Sequence, residues 1–246
     1  MKKIKYISLC SGYGAECIAL KRLKADNPGF DFECVAWSEI ERNACQAHDA
    51  IHPEYADRNL GDMTACDYSN IQTPIDLLFY STPCQSVSNA GRQKGMKKGD
   101  ADAASALIWH TERAIKELKP SICILENVKG MVSKRNRQDF DDWCAVLESY
   151  GYVNFWKILN SKDYGVPQNR ERVFMLSILR TVDNPNPTYN FPAPFPLEKR
   201  LRDVLESNVD ESYYLKPEQV QRILDHTAKH EARGNGFKHK FTPQWG

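Results

Sequence analysis

Apolar positions along the first 180 residues fall into two alternating patterns. Short runs rich in Ile, Leu, Val and aromatic residues, at 6–10, 33–37, 75–80, 121–125, 152–159 and 172–179, predict strands. Segments with helical spacing at 15–25, 41–50, 102–118 and 137–150 lie between them. Such repeated β-then-α units predict an α/β fold with a doubly wound, mostly parallel sheet. No helix separates the last two strands, so one antiparallel strand is expected near the end. The pattern changes after Arg180. Pro185, Pro187, Pro192, Pro194 and Pro196 exclude regular helix or central strand there. That stretch is expected to cross the surface in extended form. Residues 201–205 and 217–230 predict two helices, the second opening on Pro217. Residues 1–180 thus form the expected main domain, and 181–246 a proline-rich linker followed by the start of a second region.

Composition narrows this picture. The chain has 33 basic and 32 acidic residues, so a nucleic-acid surface has to be a local patch. No apolar run approaches membrane-spanning length. The basic start Met1-Lys2-Lys3-Ile4-Lys5 leads into an apolar segment that breaks at Ser11-Gly12, too short for a signal peptide. None of the eight cysteines forms a C-x-x-C pair, which leaves zinc-ribbon and thioredoxin-like chemistry unsupported. Reduced thiols in a cytoplasm are expected. His226 and His230 have the i, i+4 spacing of some metal sites, but without an evident third ligand they are expected as exposed helix residues, and no metal is expected.

Three places carry candidate chemistry. Cys84 follows the 75–80 strand within Ser81-Thr82-Pro83-Cys84-Gln85, where an α/β enzyme places a nucleophile. Ser11-Gly12-Tyr13-Gly14 joins the first strand to the first helix. Its glycines permit a tight turn and close ligand approach, but it is neither a P-loop nor a complete dinucleotide fingerprint, because Cys17 stands at the third glycine position. Glu39, with Ile40 after it, ends the second strand, placed to accept hydrogen bonds from ribose hydroxyls. Asp62, beside Met63, is a candidate acceptor for an adenine amino group. The segment 86–99 is small, polar, glycine-bearing and basic, a composition suited to a lid over a phosphate backbone.

Pro83-Cys84-Gln85, then Glu126-Asn127-Val128, then Gln168-x-Arg170-x-Arg172, preceded by Ser11-Gly12-Tyr13-Gly14, resembles the ordered motif set of DNA cytosine-5 methyltransferases. The resemblance covers about the first three quarters of the chain. It implies a Rossmann-like domain that binds S-adenosylmethionine through Ser11, Gly12, Tyr13, Gly14, Glu39, Ile40, Asp62, Met63 and Leu107. It implies Cys84 as the nucleophile that adds to C6 of a flipped-out cytosine, Glu126 as proton donor toward ring N3, and Arg170 and Arg172 as holders of the ring carbonyl. Gln85, Ser88, Asn127 and Gln168 are implied as substrate contacts, and double-stranded DNA as the partner.

The chain departs from the family pattern at Ser8 and Cys10, where the family carries Asp and an adenine-stacking Phe. Trp37 is a candidate replacement ring. At 102–107 the usual Arg-Gly pair is missing. The family's target-recognition region, ninth motif and terminal Gly-Asn-x-Val helix find no match before Gly246. The expectation is a chain that ends ahead of them: a fragment, a remnant, or one subunit completed by a second polypeptide, with weak or no activity by itself. Alternatives are the same chemistry on tRNA, which one family branch modifies, and a non-catalytic cofactor- or DNA-binding module. A dinucleotide-dependent oxidoreductase offers no role for Pro83-Cys84-Gln85.

Overall fold

The computed structural model describes residues 3–72, 74–83, 96–97 and 104–234. Six strands form one sheet: β1 (Ile4–Leu9), β2 (Phe32–Ser38), β3 (Leu77–Tyr80), β4 (Ile122–Val128), β5 (Tyr152–Asn160) and β6 (Glu171–Leu179). The order is β2-β1-β3-β4-β6-β5. β1 pairs in parallel with β2 and β3, and β3 with β4, whereas β6 runs antiparallel to both β4 and β5. The helices are α1 (Ala15–Asp26), α2 (Arg42–Ile51), α3 (Ile108–Leu118), α4 (Arg137–Ser149) and α5 (Pro217–Ala232). The expected doubly wound sheet is therefore present, and its reversed strand is β6.

Alternation along the strands separates two cores. Ile7, Leu9, Leu78, Cys123, Leu125, Val173 and Met175 face Ile115, Phe140, Trp143 and Leu147 of α3 and α4. Tyr6, Phe32 and Cys34 face Cys17 and Leu20 of α1 on the other side. Trp143, fully buried, donates its indole N–H to the Tyr80 hydroxyl at 3.1 Å, so its one polar atom is satisfied inside the core.

Sheet order places the site. The chain winds from β1 out to β2, then returns to the other side of β1 with β3. The crevice beyond the carboxyl ends of β1 and β3 is thus a topological switch point, where open α/β sheets bind ligands. Register aligns these ends: Leu9 lies opposite both Ser38 and Tyr80, and Tyr80 opposite Leu125.

Several boundaries differ from expectation. β3 begins at Leu77 because the Asp76 carboxylate takes the Lys5 N–H at 2.8 Å, replacing a backbone partner. α3 begins at Ile108 after a 3-10 turn at Ala104–Leu107, and the expected start at 102 falls outside the described residues. β4 extends to Val128 because β6 pairs with it that far, Val128 opposite Arg172. The segment before Gly61 is tied to the end of β2 by a parallel bridge from Trp37 to Asn59 and by the Ser38 hydroxyl, which donates to Gly61 O at 2.6 Å. The segment 201–205 is a 3-10 turn at Leu201–Val204 rather than an α-helix.

The proline-bearing stretch is extended across the surface, as expected. The Tyr189 ring packs 6.3 Å from Phe155. The Tyr164 hydroxyl donates to Pro192 O at 3.0 Å, and Phe195 N donates to Asp163 O at 2.9 Å. The chain divides into two compact units, Met1–Glu198 and Lys199–Gly246. Among the described residues no helix is long and apolar enough to cross a membrane.

Candidate active site

Two neighbouring antiparallel strands bring the predicted acid and arginines together. Glu126 on β4 lies opposite Phe174 of β6. Arg172 sits two residues before Phe174, so its side chain shares the face of Glu126 at the diagonal position. Arg172 Nε lies 3.2 Å from Glu126 Oε1. Burial pushes the Glu126 carboxyl above the usual carboxylate range, while Arg172 and Arg170 pull it down without cancelling the effect. Glu126, Arg170 and Arg172 line a cavity of about 270 Å³, walled otherwise by Leu159, Asn160, Ser161, Tyr164, Val166 and Phe174. Two cationic donors and one carboxyl in an otherwise mostly apolar recess suit a flat, polar ring.

The loop carrying the arginines is fastened from both sides. Asn160 Oδ1 accepts Arg170 N at 3.1 Å, and Ser161 N donates to Arg170 O at 3.0 Å. The Ser161 hydroxyl donates to Gln168 O at 2.6 Å. Gln168 lines an adjoining polar cavity of about 320 Å³ with Arg170 and Arg172. On the nucleophile side, buried Asn127 donates from Nδ2 to Thr82 O at 2.9 Å and accepts Val128 N at the same distance. That bond ties the end of β4 to the turn leading to Cys84. Cys84, Gln85 and Ser88 lie outside the described residues, as does most of the predicted lid. Met96, near the lid's far end, is buried: its N–H donates to Asp139 Oδ2 at 2.9 Å and its carbonyl accepts Trp109 Nε1 at 2.6 Å. Burial pushes the Cys10, Cys34 and Cys144 thiols up to about 12, so none of these is a thiolate near neutral pH.

The glycine loop closes the other half of the crevice. Gly12 and Gly14 hold φ of 59° and 77°, a left-handed geometry that glycine adopts without steric cost. Cys10 holds φ 54° with a side chain, an uncommon conformation at a loop entrance. Glu39 stitches the two loops together: Oε2 accepts Gly12 N at 3.0 Å, and Oε1 accepts Ile40 N and Glu41 N at 2.9 Å. Ser11 donates from Oγ to Glu16 Oε1 at 2.8 Å. Tyr13, beside Gly12, and Ile40, beside Glu39, are exposed, 52% and 72%. Asp62 accepts Thr64 N at 2.8 Å, which holds its carboxyl below the usual range and ionised. Met63 is buried, its sulfur 3.3 Å from Cys10 Sγ, and Leu107 is half-buried against the main core.

These residues fit an adenosyl cofactor by their own chemistry. A Cβ on Gly12 would meet nothing within 4 Å, so the loop faces open space. Exposed apolar side chains flank it, and two carboxylates are available as acceptors. Trp37 cannot serve as the stacking ring. It is 1% exposed, stacked on His48 at 3.7 Å, and its N–H is taken by Tyr55 O at 2.8 Å. Exposed Tyr13 is the free ring of the loop itself. Sequence reasoning missed the His48–His52 pair beneath Gly14, and no motif signals it.

A doubly wound sheet with a glycine loop at its switch point defines an α/β protein of the kind whose ligands bind beyond the strand ends, and Glu126, Arg170 and Arg172 set charged groups into a neighbouring, mostly apolar recess. Residues 4–244 match the C-5 cytosine-specific DNA methylase family, and the chain belongs to that family. It is 42% identical over 163 residues to the type II methyltransferase M2.ScrFI of Lactococcus lactis subsp. cremoris, covering 66% of this chain and 44% of that protein. It is 30% identical over 236 residues to M.DsaV of Dactylococcopsis salina, covering 96% and 63%. Among solved structures, the Entamoeba histolytica methyltransferase EhMeth has the same fold, with a TM-score of 0.67 at 22% identity over 89% of this chain and 65% of that one. The S. pombe Dnmt2 methyltransferase gives 0.62 at 20% identity, covering 92% and 66%. The chain thus spans 44% and 63% of the two curated relatives' lengths.

Proposed function

We propose that this chain carries the methyl-transfer site of a cytosine-5 methyltransferase acting on double-stranded DNA in a cytoplasm, with S-adenosylmethionine as methyl donor. The observation that supports this most directly is the half-buried Glu126 carboxyl, held above its ordinary range beside Arg172 at 3.2 Å in a recess of about 270 Å³. A carboxyl that burial biases toward its protonated form can donate to ring N3 of a cytosine. Arg170 and Arg172, fixed cations, hold the ring carbonyl and stabilise the charge that develops there. Cys84, led in by the turn that Asn127 anchors, adds to C6 and makes C5 nucleophilic. When bound, S-adenosylmethionine supplies the electrophilic methyl group. Release of the C5 proton then expels the Cys84 sulfur. The target atom is inaccessible within a stacked duplex, so the base has to be flipped out.

Incubating the protein with S-adenosylmethionine and a duplex containing 5-fluorocytosine tests this. Fluorine cannot leave as a proton does, so a covalent protein–DNA adduct should accumulate and vanish in Cys84→Ser. A parallel arm with tRNA containing 5-fluorocytosine separates the substrates. Adduct formation only on tRNA would overturn the DNA assignment. Bound cofactor and duplex without any adduct would overturn the catalytic one.

A further inference from the structure

We infer that His52 is a positioning residue for the cofactor loop, fixed in one tautomer by Lys21 and acting through Gly14; this rests on the assignment of that loop to the cofactor. His52 is fully buried. Its Nε2 lies 3.0 Å from Gly14 O and its Nδ1 lies 2.9 Å from Lys21 Nζ. An ammonium has donors only, so Nδ1 must accept from Lys21, and Nε2 then carries the proton and donates to Gly14 O. Lys21 is itself held by Glu54 at 2.7 Å and by Ile51 O at 3.3 Å. A chain of polar contacts therefore runs from a surface carboxylate to the backbone of the glycine turn.

The ring also acts as a wedge. A Cβ on Gly14 would lie 2.7 Å from His52 Cδ2 and Nε2 and 2.9 Å from His48 Cδ2. The turn thus rests directly on the imidazole. His52 is backed by His48 at 5.0 Å, and His48 by Trp37 at 3.7 Å. Trp37 belongs to β2, whose end leads to Glu39, the carboxylate that holds Gly12. One stack thereby sets the spacing between the glycine loop and the ribose-side acid. Gly14 O already accepts Ile18 N at 3.2 Å, so His52 is not needed to satisfy that carbonyl; its bond fixes where the carbonyl sits.

The charged and titratable groups around the ring are Lys21 and Cys17 of α1, Glu54, His48 of α2, and Asp49 of α2, whose Oδ1 is 3.8 Å from His48 Nδ1. Ligand atoms of Cys17, His52 and Glu54 lie within 4.8 Å of one another, a spacing that resembles a metal site. The Lys21 ammonium contacts two of the three and supplies the positive charge there.

Calorimetric binding of S-adenosylhomocysteine to the full chain, together with steady-state methylation, tests the inference. His52→Ala and Lys21→Met should each raise the cofactor Kd and KM about tenfold, the equivalent of about 1.4 kcal/mol. kcat at saturating cofactor and KM for duplex should stay within about twofold of the parent. His52→Gln, which keeps a donor for Gly14 O, should recover most of the affinity. Should His52→Ala fail to fold, Lys21→Met decides, because its side chain is 40% exposed. Unchanged Kd in folded Lys21→Met, or lost kcat with unchanged Kd, overturns the inference alone. A parent protein that does not bind the cofactor product overturns the cofactor assignment and this inference together.

Discussion

Burial and two arginines pull the Glu126 carboxyl in opposite directions, and burial wins. The folded carboxyl therefore keeps its proton at a pH where the unfolded chain, near 4.5, has released it. Its favourable contribution to stability is fully present below the unfolded value and is lost as pH rises through the folded one. Glu126→Gln imitates the protonated form at every pH. The melting temperature of the variant relative to the parent should therefore climb as pH rises from about 4.5 through the folded carboxyl's range, and a flat difference would refute the sign. Catalysis should show the complementary effect. Activity that depends on protonated Glu126 falls on the alkaline side of its pKa, and Arg172→Met, which removes a lowering influence, should move that limb to higher pH in a kcat/KM profile. Glu126→Gln itself should cost about 10²- to 10⁴-fold in kcat, the usual range for a positioned acid.

At the scale of elements, Asn127 does more than end a strand. Its side chain bridges from β4 to the turn after β3, so two separate β-to-loop exits move as one. Asn127→Ala would leave Thr82 O without its donor in a buried place, at a cost of about 1–3 kcal/mol. In a domain of this size, a melting temperature lower by about 2–10 °C is expected. Loss of kcat should exceed any change in cofactor KM, because the displaced turn leads to Cys84; an equal loss in both would point to general destabilisation. Elements of this kind were largely legible in the sequence. The strand runs, the glycine loop, Glu39 and the order of motifs can be read locally, since each depends on a few consecutive residues. What the sequence hid comes from distant partners. The wedge under Gly14 joins residues 38 positions apart, and no spacing rule connects a histidine after α2 to a glycine before α1. Trp37 misled for the same reason: an aromatic residue at a strand end looks available until His48 is seen to cover it. The late start of α3 reflects a 3-10 turn at Ala104–Leu107, whose alanine-rich sequence favours α-helix by propensity alone.

Across the whole molecule, the two compact units meet in sequence at Glu198 and Lys199. Within the first unit, the proline-bearing strap is pinned to Tyr164, Asp163 and Phe155, and its last pinned residue is Phe195. Beyond it, residues from 198 to 216, ahead of α5, are almost all exposed and carry only two 3-10 turns, Leu201–Val204 and Glu211–Tyr213. Proteases cleave where backbone is exposed and lacks a cooperative hydrogen-bonded element, because local opening there is nearly free. Limited trypsinolysis should therefore cut first at Lys199, Arg200 or Arg202, sites that lie together in that stretch and are not followed by proline. The surviving product should end at Lys199, Arg200 or Arg202, as read by intact-mass spectrometry. The strap itself, residues 181–198, contains no Lys or Arg, so its pinning is read at Lys162 and Arg170 beside its contacts, which should resist in the parent. Gly165→Ala offers the control: its Cβ would sit 3.0 Å from the Phe195 ring at φ +81°, loosening the pin. That variant should expose the sites at Lys199 and Arg200 at least as readily as the parent and add cleavage at Lys162 or Arg170. First cuts within α3 or α4, with 199–202 intact, would contradict the assignment of the weak segment.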